Sequence, residues 1–404
     1  MRCGLLGKKL GHSYSPEIHA LLGSYSYGLF EKTEEELPEF LRAGPWEGLN
    51  VTIPYKKTVL PFCDELGEAA RRTGSVNTLV RRGERLFGDN TDVAGFRAMA
   101  ESSGLSFRGK KALVLGSGGA SAAVCAALED LGACSVVISR RGEDNYTNLE
   151  KHADAGIIVN ATPLGMYPEN GASPLDPALF GNCEGVFDVV YNPARTALLL
   201  RAEELGIPGF NGLRMLVAQA RRSSEEFTGA SLPDEAVERI TRRLARDMEN
   251  IILIGMPGCG KSTLAALLGK ATGREALDAD AMIAERAGRP IPEIFAAEGE
   301  EGFRRRETEV LGVLGKLSGK VIATGGGCVT RAENYPLLHQ NGRIFWVRRE
   351  TAKLPREGRP LSLSGDLKDM ERQREPLYRR FADAEIDNNA APEDALRQIM
   401  EVQG

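Results

Sequence analysis

The chain has 404 residues, 42% of them apolar and 26% charged, with a net charge of -5. That length exceeds what a single core sustains and predicts two or three domains, while the composition excludes a disordered or fibrous chain. The mixed, nearly balanced charge offers no broad basic surface for nucleic acid or anionic lipid, so small molecules are the expected partners.

From the N-terminus, LGKKLGHSYSPEIHALL (residues 6–22) places Ser13 and Ser15 two apart just ahead of a helical pattern. Two hydroxyls so spaced can take both oxygens of a carboxylate, or simply cap the helix. The short apolar runs LNVTIP, ALVLGSG, SVVISR, GIIVNAT and GVFDVVY then alternate with helical patterns, which predicts parallel sheets built from β-α-β crossovers. In ALVLGSGGASAAVCAAL, Gly116 and Gly118 allow a tight turn and close approach of a pyrophosphate, but the third fingerprint position is Ser121. The next strand ends in Ser139, Arg140 and Arg141, where an NAD site would carry Asp or Glu. Two cations there favour a 2′-phosphate, hence NADPH.

With HSYSP, the segments GLNVTIPYKK, TGSVNTLV and GDNTDVAGF resemble the substrate domain of shikimate dehydrogenase, and the resemblance continues to residue 245. It implies a substrate-binding α/β domain (1–94 with 214–246) around a Rossmann-like NADP domain (95–213). It also implies Lys56 and Asp92 as the catalytic pair, since a carbonyl receiving hydride needs a proton donor at its oxygen. Taken alone, Lys56 beside Lys57 reads as a surface lysine. Ser13, Ser15, Thr52, Asn77, Asp92, Tyr191 and Gln219 match the family's substrate binders. Gly116, Ser117, Gly118, Gly119, Ala120, Ser139, Arg140, Arg141, Thr162, Gly212 and Met215 match its cofactor contacts. The stretch RGEDNYTNLEKHADA (141–155) is too short for the family's usual helix and extra strand, so a reduced cofactor domain is expected.

A seam falls at residues 229–249, where GASLPDE caps a charged helix with Val237, Ile240, Leu244 and Met248 at helical spacing. The linker is therefore short and helical. NIILIGM follows as a strand, and GMPGCGKS (255–262) fits G-x-x-x-x-G-K-[ST] at every fixed position. Backbone N–H groups of such a loop turn toward phosphate oxygens, Lys261 faces the β and γ phosphates, and Ser262 can ligate Mg²⁺. Gly258, Cys259, Gly260, Lys261, Ser262 and Thr263 are the candidate ATP contacts, Cys259 serving as a small residue that fits.

LDAD, EEGFRRRE, ATGGGCV, GRPL and REPLYRR, in that order behind the phosphate loop, resemble shikimate kinase across residues 250–404. The resemblance implies a P-loop domain (247–404) of the nucleoside-monophosphate-kinase type, with a parallel sheet and a lid. It makes Asp280 the residue that deprotonates the attacking hydroxyl, and Asp278 a support, through water, for the Mg²⁺ that Ser262 ligates. Arg304 and Arg374 would grip the substrate carboxylate, Gly326 would let the substrate ring approach, and Arg359 on the lid would meet the transferring phosphoryl group. Asp278 and Asp280 can equally cap the helix that follows them. The stretch from Val347 to Arg359 is short for the adenine loop and lid, leaving Lys353 and Arg356 only as candidates there.

Seven scattered cysteines without C-x-x-C spacing predict reduced thiols, and the four histidines lack zinc spacing, so any metal should arrive with a nucleotide. Without an apolar signal core or a bilayer-length run, the expected location is the cytoplasm. The combined expectation is NADPH-dependent reduction of 3-dehydroshikimate followed by ATP- and Mg²⁺-dependent phosphorylation of shikimate. Its rivals are a quinate or broad-specificity dehydrogenase fused to another small-molecule kinase, and a chain in which one half is an inactive shikimate sensor.

Overall fold

The computed structural model describes residues 1–11, 13–354 and 367–403. The chain divides into two units, Met1–Tyr191 with Thr196–Arg243, and Asn192–Arg195 with Leu244–Gly404.

The first unit holds two sheets. Strands β1 (Arg2–Gly7), β2 (Ser26–Glu31), β3 (Gly48–Val51), β4 (Glu65–Leu66), β5 (Thr78–Arg82) and β6 (Arg85–Asp89) form the first, in the order β2-β1-β3-β5-β6-β4. Contrary to the expectation of parallel sheets throughout, β5 runs antiparallel to both β3 and β6. Between β5 and β6 the cause is local: Arg82 pairs with Arg85, so only Gly83 and Glu84 connect the strands, and Gly83 takes φ +66°. A two-residue connection makes a hairpin, whereas a parallel crossover needs a dozen or more residues.

The second sheet is parallel. It contains β7 (Lys111–Leu115), β8 (Cys134–Ile138), β9 (Ile157–Asn160), β10 (Gly185–Asp188) and β11 (Gly209–Phe210), ordered β11-β10-β9-β7-β8. Strands β9 and β10 are buried at every position, as expected for strands covered on both faces. Between β8 and β9 only the short 3-10 turn Leu149–His152 forms, which leaves β8 at the sheet edge and agrees with a trimmed cofactor domain.

The helix Asp234–Met248 buries Val237, Ile240, Leu244 and Met248, and β12 begins at Asn250. In the second unit, β12 (Asn250–Ile254), β13 (Ala276–Asp278), β14 (Val321–Ala323), β15 (Gly342–Arg348) and β16 (Ala384–Asp387) make a parallel sheet ordered β13-β14-β12-β15-β16. The loop after β12 therefore emerges at the point where successive connections turn to opposite sides, the usual crevice for a ligand in such sheets. Among the described residues no helix is long and apolar enough to cross a membrane, and all seven cysteines are free thiols.

Candidate functional site

Two constellations form, one in each unit. In the first, Lys56 lies in the turn after β3 and Asp92 opens the helix Asp92–Ser102, whose positive N-terminal end favours a carboxylate. Lys56 Nζ donates to Asp92 Oδ2 at 2.6 Å, and Asn77 Nδ2 donates to Asp92 Oδ1 at 2.9 Å. The Asn77 amide can point only one way, because its Oδ1 accepts the Thr91 backbone N–H at 2.7 Å. With Asp92 holding one ammonium hydrogen, Lys56 keeps two more to offer.

Gln219, on the helix Leu213–Thr228, brings Oε1 to 3.4 Å from the Thr91 hydroxyl and donates from Nε2 to Leu216 O. The two helices cross closely: a Cβ at Gly95 would stand 2.7 Å from Met215 O and 2.9 Å from Gln219 Cβ. Met215 itself is buried in the core, so packing occupies most of the side chain assigned to the cofactor. Tyr14, not a serine, occupies the N-cap of the helix Ser15–Leu22, and Ser13 Oγ accepts the Ser15 N–H at 3.2 Å. The Tyr14 ring meets Tyr191 edge-on at 6.0 Å, bringing the Ser13 and Ser15 segment to that candidate. Burial pushes the Tyr191 hydroxyl pKa upward. Thr52 is tied to β1 through its N–H to Leu6 O at 2.9 Å.

On the cofactor side Gly116 has φ +107°, and a Cβ there would sit 2.8 Å from the Thr162 methyl. Its N–H donates to Ile138 O at 2.8 Å, which sets the end of β8 beside the turn. Ser117, Gly118, Gly119 and Ala120 form the entry to the helix Gly119–Asp130, with Gly118 at the N-cap and open space where its Cβ would be. At Gly119 a Cβ would lie 3.9 Å from Ser75 Oγ and 4.0 Å from Lys56 Cδ, so this helix start adjoins the Lys56–Asp92 pair. Ser121, in place of the third glycine, is buried. Arg140 and Arg141 follow β8 as exposed cations, and the Ser139 N–H donates to Asp144 O. Gly212 has no room for a side chain, since a Cβ would fall 2.0 Å from Val189 O. This crevice fits a phosphorylated dinucleotide: a turn without Cβ atoms, an open helix start and cations beyond the neighbouring strand.

In the second unit, the phosphate loop leads into the helix Lys261–Thr272. Lys261 is buried and donates to Gly255 O at 2.8 Å and Met256 O at 3.1 Å. Ser262 Oγ donates to Asp278 Oδ2 at 2.6 Å. Asp278 also caps the next helix, its Oδ1 accepting from the Asp280 and Ala281 N–H groups. A hydroxyl and a carboxylate at hydrogen-bond distance beside a phosphate loop are hard oxygen donors suited to Mg²⁺. Cys259 is buried in the loop, and its N–H is directed to Met256 O. Gly258 and Gly260 have φ +85° and +100°, conformations that favour glycine, and Thr263 lies in the first turn of the helix.

Asp280 reaches the glycine run: a Cβ at Gly325 would come within 2.8 Å of its Oδ1. Arg304, 5% exposed, donates to Glu307 at 2.7 Å and to Glu300 at 3.1 Å. Arg374 donates to Gly326 O at 3.1 Å, and the buried Tyr378 hydroxyl donates to the same carbonyl. At Gly326 packing supplies a local reason for glycine. A Cβ would stand 2.5 Å from Pro257 of the phosphate loop, so the loop itself closes on this backbone. Arg356, Arg359 and the lid lie outside the described residues. Lys353 is exposed and paired with Glu350 at 3.2 Å.

Three residues escaped sequence reasoning. Glu307 is fully buried, and burial pushes its carboxyl pKa up against the opposing pull of Arg304. Its spacing of three from Arg304 on one helix was the available signal. Glu307→Ala should cost about 3 kcal/mol of stability by leaving a buried guanidinium with less compensation. Chemical denaturation of the variant checks it. Asn388, 3% exposed, donates to Cys259 O at 2.6 Å and had no local signal. The third is Asp188, a charged residue closing an apolar strand.

Comparison with known proteins covers both units. Residues 5–79 match the family model of the shikimate dehydrogenase substrate binding domain, and residues 257–403 match that of shikimate kinase. The chain is 41% identical over 254 residues to a shikimate dehydrogenase (NADP(+)) of Oleidesulfovibrio alaskensis, covering 57% of this chain and 90% of that protein. It is 37% identical to the corresponding protein of Pelodictyon phaeoclathratiforme, over 58% of this chain and 94% of that one. Among solved structures it resembles a chorismate mutase/shikimate 5-dehydrogenase fusion protein from Clostridium acetobutylicum, with TM-score 0.58 and 37% identity, covering 60% of this chain and 96% of that one. It also resembles shikimate 5-dehydrogenase from Thermus thermophilus in complex with NADP(H) and shikimate, with TM-score 0.56 and 33% identity over 60% and 99% of the two chains.

Proposed function

The chain belongs to the shikimate dehydrogenase family and continues into a shikimate kinase domain, and from that premise we propose how its residues divide the work of two consecutive reactions. The first is NADPH-dependent reduction of 3-dehydroshikimate to shikimate. The second is ATP-dependent phosphorylation of shikimate to shikimate 3-phosphate.

In the reduction NADPH supplies the hydride. Lys56 gives a proton to the substrate carbonyl oxygen, and Asp92 holds the ammonium in line. Asn77 orients Asp92 and, with Thr52 and Gln219, takes the ring hydroxyls. Ser13, Ser15 and Tyr191 take the carboxylate end. Gly116 to Ala120 carry the pyrophosphate, Thr162, Gly212 and Met215 bound the nicotinamide side, and Ser139, Arg140 and Arg141 take the 2′-phosphate.

In the phosphorylation ATP-Mg²⁺ supplies the phosphoryl group, with Ser262 and Asp278 holding the ion. Asp280 accepts the proton of the attacking hydroxyl, Arg304 and Arg374 hold the carboxylate, and Lys261 with Arg359 neutralises charge on the transferring group. The observation that carries this reading is a close polar pair beside each phosphate-binding turn: the proton-donating Lys56–Asp92 pair at 2.6 Å in one unit and the ion-holding Ser262–Asp278 pair at 2.6 Å in the other. The free thiols support a cytoplasmic location.

Oxidation of shikimate and of quinate with NADP⁺ tests the substrate assignment. Shikimate should lead in kcat/KM by about 100-fold or more, as a site built around each hydroxyl predicts. Comparable turnover of quinate would replace it with a broad-specificity enzyme. Replacing Arg140 and Arg141 together with Ala should weaken NADPH binding about tenfold or more while leaving NADH nearly unchanged, since only the 2′-phosphate loses its charged partners. Fluorescence titration of both cofactors reads this.

A further inference from the structure

Asp188 ends β10 with 0% of its surface exposed, and the roles assigned above give it nothing to do. Its three hydrogen-bond partners are neutral. Oδ1 accepts from the Val190 N–H at 3.0 Å and from Asn160 Nδ2 at 3.0 Å, and Oδ2 accepts from the Thr196 hydroxyl at 2.7 Å. Among the described residues it forms no ion pair, and burial pushes its pKa up to about 7 while the three hydrogen bonds oppose that rise. An acid kept dry without a cation is costly, so its geometry needs a reason.

The partners lead to different loops at the carboxyl ends of the strands. Asn160 passes the constraint on: its Oδ1 accepts both the Thr162 N–H at 3.0 Å and the Thr162 hydroxyl at 2.7 Å. Thr162 is the residue whose methyl closes on Gly116 of the cofactor turn. Val190 directly precedes Tyr191, which meets Tyr14 of the Ser13–Ser15 segment. Thr196 caps the helix Ala197–Glu204 by accepting the Leu199 N–H at 3.3 Å.

We propose that Asp188 is a positioning residue for the reduction, one buried carboxyl group that fixes the Thr162 loop on the cofactor side and the Tyr191 loop on the substrate side. Hydride transfer requires donor and acceptor carbons in register, and a shared anchor couples the two loops that bound them. This assignment deepens the dehydrogenase reading and rests on it.

Three variants test it in the full-length chain, with shikimate phosphorylation and cooperative thermal melting as controls. Asp188→Asn keeps the Oδ1 contacts and offers an N–H to Thr196, so kcat and both KM values should stay within about threefold of wild type. Asp188→Leu removes all three bonds and should lower kcat/KM for NADPH and for 3-dehydroshikimate by about tenfold or more. Asn160→Ala cuts only the cofactor branch: the KM for NADPH and its Kd by fluorescence titration should rise, while the KM for 3-dehydroshikimate holds. Wild-type kinetics in a cooperatively melting Asp188→Leu chain would overturn the proposal. So would an Asn160→Ala chain that raises both KM values equally, a result that also decides the matter if Asp188→Leu does not fold. A wild-type chain that fails to reduce 3-dehydroshikimate removes the dehydrogenase reading itself, and this assignment with it.

Discussion

Replacing Lys56 with Ala will remove reduction of 3-dehydroshikimate and leave phosphorylation of shikimate at its wild-type rate. The loss comes down to a single proton. As hydride reaches the carbonyl carbon, negative charge grows on the oxygen, and Lys56 is the ammonium that Asp92 holds at 2.6 Å beside the entry to the cofactor helix. Loss of a positioned proton donor typically costs about 10²- to 10⁴-fold in rate. The fall should be in kcat more than in KM, because charge at that oxygen develops in the transition state. Stopped or steady-state NADPH oxidation reads the first activity, and a coupled ADP assay supplied with shikimate reads the second. A variant that kept more than about a tenth of the reductase rate would take the proton-donor role away from Lys56.

Lys261→Ala should do the reverse. Its ammonium is buried inside the phosphate loop, held by the carbonyls of Gly255 and Met256, a geometry that has a cation in place before nucleotide arrives. Removing one preorganised charge from a phosphoryl-transfer site costs about 10²- to 10³-fold in kcat. Arginine will not rescue it, since a wider planar guanidinium is not a compact point charge and has no room between those carbonyls. NADPH oxidation by the same preparation should be unchanged. If either single substitution silenced both reactions, the two constellations would not be independent sites.

How much of this the sequence revealed depended on distance along the chain. The phosphate loop, the Gly116 turn and the two cations after β8 are each contiguous, so their spacing alone suggested a chemistry. The Lys56–Asp92 pair spans 36 residues and became visible only through the flanking NVTIPYKK and NTD segments. Asn388 acts on Cys259 from 129 positions away, and no local pattern marks it. Pro257 as the neighbour that demands glycine at Gly326 is likewise a product of tertiary packing. Asp188 had a signal, a carboxylate at the end of an apolar strand, but its meaning lay in three partners that lead to two loops. For the fold, alternation of strand and helix suggested parallel sheets, and the first sheet departs where a two-residue hairpin overrides that trend.

The most direct test of two consecutive activities in one chain supplies the purified protein with 3-dehydroshikimate, NADPH and ATP-Mg²⁺ and follows NADPH absorbance together with phosphorus NMR. NADPH should be consumed and an equimolar phosphate monoester of shikimate should appear with no other enzyme present. Consumption of NADPH with shikimate accumulating unphosphorylated, while ATP remains intact, would contradict it.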